Sequence, residues 1–307
     1  MIRKHTRRAV KAGFCVSFGV AIVLGGLTAG TLTASAAQPT IKLGSKNFTE
    51  EYVLAELYGQ ALKAKGFKVV SEGSLGSSEL ADTALTSGKI NMYPEYTGVI
   101  VLDLAHKAAP KTADATFKAA KAFEESRGFT VLSKTPFFDT DSVSVLTSTA
   151  KKYGLKTIGD IKTKFKGTFR YAGYPECPIR ITCGLGLKQI YGIKKISFLT
   201  IGQIPVNTLI DDHKADGGDI FSTDPSLASG KYTVLTDTKH IFGFQNVVPV
   251  VSKSLVKQLG SKFTSTVNAV SSKLTVQAMI AMNKAVAIDK KTPAAVAAAF
   301  LKANHLA

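Results

Sequence analysis

The chain has 307 residues, 45% of them hydrophobic, and carries 39 Lys and Arg against 22 Asp and Glu, a formal net charge of +17. Beyond residue 36 the balance is 34 basic against 22 acidic side chains, and only Arg127, Arg170 and Arg180 among the basic ones are arginines. Phosphate and base recognition favour the arginine fork, whereas these lysines stand singly among Ala, Thr and Gly. No nucleic-acid partner is therefore expected, and the basic surface reads as solvated, attracted at most to an anionic cell envelope.

Residues 1–36 read as an export signal: a basic start (Arg3, Lys4, Arg7, Arg8, Lys11), an apolar run over 14–32 broken by Gly25, Gly26 and Gly30, and the small-residue site Ala34-Ser35-Ala36. Cys15 precedes the apolar run's end and is misplaced for lipid attachment. Thr6-Arg7-Arg8 is a partial twin-arginine match, and a general secretory signal is the better reading. No second long apolar run exists, so an extracytoplasmic chain of about 270 residues is expected, enough for two lobes with separate cores.

In chain order, Ile41-Lys42-Leu43 is a strand, Gly44-Ser45-Lys46-Asn47 a turn, and 49–65 a helix with Val53, Leu54, Leu57, Ala61 and Leu62 on one face. Asn47 or Thr49 can cap it and Gly66 ends it. A strand over 67–70, a helix from Ser77 or Ser78 to Gly88, and a strand over 90–93 follow. Strands over 142–146, 169–172, 198–199 and 219–221 alternate with helices over 150–153, 185–191 and 207–213. After a strand over 247–251 the chain is helical over 263–272, 276–287 and 293–303, with Pro293 suited to a helix first turn. The alternation predicts α/β lobes with mostly parallel sheets, whose ligands sit beyond the carboxyl ends of strands. Crossovers near Asp139–Asp141 and Gln245–Asn246 divide the chain into 38–141 plus 246–307 as one lobe and 142–245 as the other.

Beyond the signal two cysteines remain, Cys177 and Cys183. Export permits a disulfide, and six positions apart around Pro178 they are expected to staple one short loop, the alternative being two buried thiols. A metal site is disfavoured, since no His lies near either and structural zinc takes four ligands. His106, His213, His240 and His305 stand apart with no nucleophile motif, and no Gly-x-Ser-x-Gly, Gly-rich phosphate loop or His-Glu-x-x-His is present. Neither an enzyme nor a cofactor is expected.

Binding chemistry is better supported. A quaternary ammonium has no proton to donate and needs aromatic faces, for which Tyr96 and Phe221 are candidates. A carboxylate needs Arg180, Lys46 or the helix start at Asn47. Each has a plainer role: Phe221 as core, Arg180 paired with Glu176, Lys46 merely exposed. Together, "GSKNFTEEYVLAELYGQALKAKGFKV", "INMYPEYTGV", "YPECPIRITCGLGLKQIYGI", "DIFSTDPSLA" and "NVVPVV" resemble, in order and over about 41–306, the substrate-binding proteins of osmoprotectant ABC importers, the glycine betaine, choline and carnitine receptors. The resemblance implies a type II periplasmic-binding-protein fold, two α/β lobes closing on ligand, with an ABC permease as partner and the receptor a monomer. It places a cage tyrosine on Tyr96, an aromatic on Phe221, the carboxylate-binding arginine on Arg180 and a turn lysine on Lys46.

The pattern departs from the family at the crossovers. Asp139-Thr140-Asp141 stands where many members have Asn-Thr-Tyr, Gln245 followed by Asn246 where another Tyr stands, and Val99 where a threonine would donate. Asp141 and Asn246 suit a ligand with N–H or O–H groups, so the expected solute is cationic or zwitterionic, choline-like or a larger hydroxylated or ring-bearing betaine. Asp139 and Asp141 could equally cap a turn in solvent. A polar amino acid or polyamine receptor, or a basic envelope-associated surface protein, are the alternatives.

Overall fold

The computed structural model describes residues 38–202 and 204–306, with Gly13 alone before them. The expected signal over 1–36 otherwise lies outside the described residues. Among the described residues no helix is long and apolar enough to cross a membrane.

In chain order the elements are β1 (Ile41–Ser45), α1 (Thr49–Ala64), β2 (Val69–Ser74), α2 (Ser78–Thr86), β3 (Met92–Tyr96), α3 (Thr97–Val99) running into a wide turn (Ile100–Leu104), α4 (Ala113–Ser126), β4 (Phe129–Val131), β5 (Ser144–Leu146), α5 (Thr147–Tyr153), α6 (Ile158–Lys164), β6 (Phe169–Gly173), β7 (Ile196–Thr200), α7 (Val206–Asp211), β8 (Gly217–Gly218), β9 (Tyr232–Val234), β10 (Val247–Ser252), α8 (Lys253–Lys273), α9 (Val276–Ala287) and α10 (Pro293–Ala303). They build two five-stranded sheets, ordered β2-β1-β3-β10-β4 and β7-β6-β8-β5-β9, the layout of a periplasmic-binding-protein fold.

The expectation of mostly parallel sheets is corrected by the strands that return between the halves. β10 runs antiparallel to both β3 and β4, and β5 antiparallel to β8 and β9. Pro249 of β10 faces Pro94 of β3 across one rung. Leu132 N donates to Pro249 O, so Pro249 turns its backbone groups towards β4, and the rung with Pro94 needs no N–H from either proline. The expected strand over 219–221 is instead the two glycines before it. A Cβ on Gly217 would lie 2.7 Å from Phe169 Cζ, and one on Gly218 2.5 Å from Val206 Cγ1, so only glycine lets this strand into the sheet.

The core follows the apolar faces. The buried side chains of α1 (Val53, Leu54, Leu57, Ala61, Leu62) pack with Phe263, Val267 and Val270 of α8, Met279 of α9 and Leu301 of α10 on one face of the first sheet, while Ala81 and Leu85 of α2, Ile100 and Ala120 cover the other. The helix expected over 263–272 is the second limb of α8, whose first limb ends at Gly260, held at φ 70°. Two further clusters, around Phe169 and Tyr171 and around Ile210 and Ala172, cover the two faces of the second sheet. All four described histidines adopt left-handed φ, His106 52°, His213 55°, His240 56° and His305 56°. His213 and His305 lie directly after the residues that end α7 and α10, the position where a helix reverses.

Where the chain passes between the sheets, Phe138 bridges Asn246 in antiparallel fashion and Asp139 N donates to Gln245 O at 3.1 Å. The two connecting strands thus run side by side at the mouth between the halves.

Candidate functional site

One cavity lies between the carboxyl ends of the two sheets, and its wall includes Lys46, Asn47, Tyr96, Asp141, Arg180, Phe221 and Gln245. Tyr96, Arg180 and Phe221, which come from three separated segments, therefore face a common space.

From the first half, β1 delivers Lys46 and Asn47 to the start of α1. The helix is begun by Phe48, with extended backbone and no side-chain cap; neither Asn47 nor Thr49 caps it. That geometry turns the Phe48 ring into the cavity, 6.2 Å from the Tyr96 ring and nearly parallel to it. From the second half, β6 ends at Gly173 and delivers Tyr174, whose ring stacks on Phe221 at 5.6 Å and 22°. Phe48 and Phe221 meet at 5.3 Å. Four rings, Tyr96, Phe48, Phe221 and Tyr174, thus form a continuous aromatic wall crossing both halves. Phe48 and Tyr174 were not singled out from the sequence, although both lie inside the quoted stretches, Tyr174 directly beyond the carboxyl end of β6 and Phe48 three residues beyond that of β1.

The two cations are held by carboxylates. Lys46 is 3% exposed. Its Nζ pairs with Glu95, lies 3.5 Å from Glu51 Oε1 and 3.4 Å from Ser78 Oγ, and sits 4.3 Å over the Tyr96 ring. Burial pushes Glu51 up to about 8, with Lys46 pulling against it. Lys46 is accordingly neither exposed nor an uncompensated anion clamp. Arg180 donates from Nε and Nη2 to the two oxygens of Glu79, each at 2.9 Å; Glu176, its expected partner, is farther, at 3.8 Å. Burial raises Glu79, but the Arg180 hydrogen bonds and charge outweigh it and hold the carboxyl at about 2.

The remaining charged wall is acidic, Asp139, Asp141, Glu176 and Asp219, with the hydroxyl residues Ser77, Ser78 and Thr182 alongside. Asp139 caps a turn, accepting from Ser222 Oγ at 3.0 Å and Thr223 N at 2.9 Å, yet it is buried rather than solvated, and burial with Glu50 nearby drives its carboxyl well up. Asp141 and Asp219 both lie in the wall, and both carboxyls are raised by burial, Asp219 further by the charge of Asp141; such a pair holds a proton in preference to carrying two charges. Cys177 and Cys183 are joined by a disulfide and form part of the wall beside Arg180.

Two expected contacts are differently employed. Gln245 reaches the cavity, but its amide accepts from Val99 N at 3.0 Å and donates to Phe242 O at 2.8 Å, packing where a Cβ on Gly98 would be 2.6 Å away. Asn246 is not in the wall: its Nδ2 donates to Thr135 O and Phe137 O, both at 3.0 Å, so it fixes the crossover. In an isolated sequence, an amide at a crossover looks the same in either role.

A cleft between two α/β sheets, lined by aromatic rings and carboxyls from both, defines a solute-binding receptor of the periplasmic-binding-protein type. The family model described as the substrate binding domain of ABC-type glycine betaine transport systems matches residues 39–303, and the chain belongs to that family of receptors, which are not enzymes. The chain is 30% identical over 292 residues to a glycine-betaine-binding protein of Pseudomonas aeruginosa, covering 91% of this chain and 92% of that one. It is 25% identical to the glycine betaine-binding protein YehZ of Escherichia coli, covering 90% and 94%. Among solved structures, a glycine betaine/carnitine/choline ABC transporter protein superposes with a TM-score of 0.69 at 24% identity, covering 87% of this chain and 99% of that one.

Proposed function

We propose that this chain is the exported, monomeric solute receptor of an ABC importer, with residues 38–141 and 246–307 forming one lobe and 142–245 the other. It takes a small quaternary-ammonium cation or zwitterion between the lobes, on the extracytoplasmic side of the membrane, and delivers it to the transmembrane permease.

The observation that carries this reading is the aromatic wall of Tyr96, Phe48, Phe221 and Tyr174 set against an excess of carboxyls. Ring faces attract a trimethylated nitrogen that can donate nothing, and desolvation in a closed cleft strengthens that attraction. Lys46 and Arg180 already have carboxylate partners, so the site offers an anionic group less than it offers a cation. Choline, or a hydroxylated or ring-bearing betaine that hydrogen-bonds the Asp141–Asp219 pair, suits the wall better than glycine betaine does.

Calorimetry against choline, glycine betaine, carnitine, proline and putrescine tests this. One site favouring choline or carnitine, weakened at least about tenfold, or about 1.4 kcal/mol, by Tyr96→Ala and by Tyr174→Ala, supports it. The four wall carboxyls favour a polyamine as the second reading, and tight putrescine binding indifferent to both tyrosine substitutions would replace the first.

A further inference from the structure

Behind the aromatic wall lies a carboxylate that no cavity cation partners. Glu50, in the first turn of α1, is 3% exposed. Its Oε1 accepts from Tyr96 Oη at 2.8 Å. Its Oε2 accepts from Thr223 Oγ1 at 2.6 Å and from Asn283 Nδ2 at 3.0 Å. Among the described residues it makes no ion pair, and a buried charge without a counterion is costly unless donors satisfy it. Its donors have unequal origins. Tyr96 ends β3 and Asn283 lies on α9, both packed on the first sheet; Thr223 belongs to the turn after β8 of the second, two residues beyond Phe221. Thr223 N is fixed in turn by Asp139 Oδ1 at 2.9 Å. One carboxylate therefore grips the hydroxyl of one ring residue and the hydroxyl of the turn that carries the opposing ring.

We propose that Glu50 is a positioning residue that couples placement of the Tyr96 ring to closure of the two halves. Separation of the halves strips Thr223 from the carboxylate and from Asn283 Nδ2, which also reaches Thr223 Oγ1 at 3.2 Å and Thr223 O at 3.4 Å, and leaves Tyr96 and Asn283 on Glu50. Closure and seating of Phe221 against the Tyr96 side of the wall are then a single event, set by protein groups outside the solute's reach.

Small-angle scattering of the ligand-free chain tests the coupling without any solute. Thr223→Val and Glu50→Ala should give a larger radius of gyration, while Thr223→Ser, which keeps the hydroxyl, should match the unsubstituted protein. A radius unchanged in both Thr223→Val and Glu50→Ala overturns the proposal. The kinetic arm rests on the solute-receptor reading and uses choline as the probe: Thr223→Val should speed release about tenfold, as expected for one charge-assisted hydrogen bond, and leave association unchanged. An equal loss in both rates would mean a merely structural role and would contradict the coupling. Should choline fail to bind the unsubstituted chain, the proposed ligand class falls, and the scattering comparison still decides the coupling.

Discussion

Arg180 lays the edge of its guanidinium against Glu79, Nε on Oε1 and Nη2 on Oε2, each at 2.9 Å. The arginine follows the short helical turn Cys177–Ile179 of the second half, and the glutamate lies in α2 of the first, so the pair spans the cleft beside the cavity. Glu79→Gln should weaken solute binding by about 1 kcal/mol or less, because Glu79 is 41% exposed and solvent screens the pair. Calorimetry at low and high salt checks it. The deficit relative to the unsubstituted protein should shrink as salt rises, and a salt-independent loss would point to a packing effect instead.

Lys46 sits between Glu95 and Glu51 with all three side chains buried. Lys46→Met removes the cation that, among the described residues, pairs with Glu95 and Glu51, and should cost about 3–5 kcal/mol in urea unfolding. Adding Glu95→Gln should recover part of that loss. No recovery would mean that Lys46 acts by packing against Tyr96 and not by charge.

Stability should fall as pH rises from about 5 to about 8. Burial raises Glu51 from 4.5 to about 8, Glu124 from 4.5 to about 7 and Asp103 from 3.8 to about 6. Between each pair of values the folded chain holds a proton that the unfolded chain has released, so folding is favoured at the acid side and the advantage fades as pH climbs through the folded value. Glu79 works the other way: held at about 2 against 4.5, it contributes above pH 4.5 and is lost below. The melting temperature should therefore peak at about pH 4, between the point where Asp103 begins to lose stability and the point where Glu79 has gained its full share. A rise in Tm between about pH 5 and pH 8 would contradict the burial of these carboxyls.

The disulfide closes a loop of sequence separation 6 that contains Arg180. Cys177→Ser with Cys183→Ser should lower stability by about 2 kcal/mol, the lower end for cross-links because the loop is short. Solute affinity should fall as well, since Arg180 loses its fixed frame. Unchanged affinity with lowered Tm would detach the loop from the site.

Much of the architecture is legible in the sequence because periodicity reports one-sided burial: α9 and α10 fall where the apolar pattern places them, over Val276–Ala287 and Pro293–Ala303. Local competition is less visible. The strand expected over 90–93 is β3 (Met92–Tyr96), although Asn91 still bonds its neighbours, its backbone N donating to Lys42 O and its carbonyl accepting from Ser252 N while its side chain bonds Lys42 N and Thr40 O. The helix α4 is not among the expected elements, although Thr116, Ala120 and Glu124 are buried on one face at helical spacing and Phe117 and Phe123 pack beside them. At the site, residue types pointed to Tyr96, Arg180 and Phe221. Partners did not: that Asn246 turns to Thr135 and Phe137, or that Glu79 meets Arg180 across 101 positions, depends on chain crossings that no local pattern encodes.

The most direct measurement is a crystal structure of the exported chain grown with choline. The account predicts density for the trimethylammonium against the faces of Tyr96, Phe48, Tyr174 and Phe221, with the hydroxyl at Asp141 or Asp219. Density elsewhere, or a cleft closed on itself with those four rings untouched at saturating choline, would contradict it.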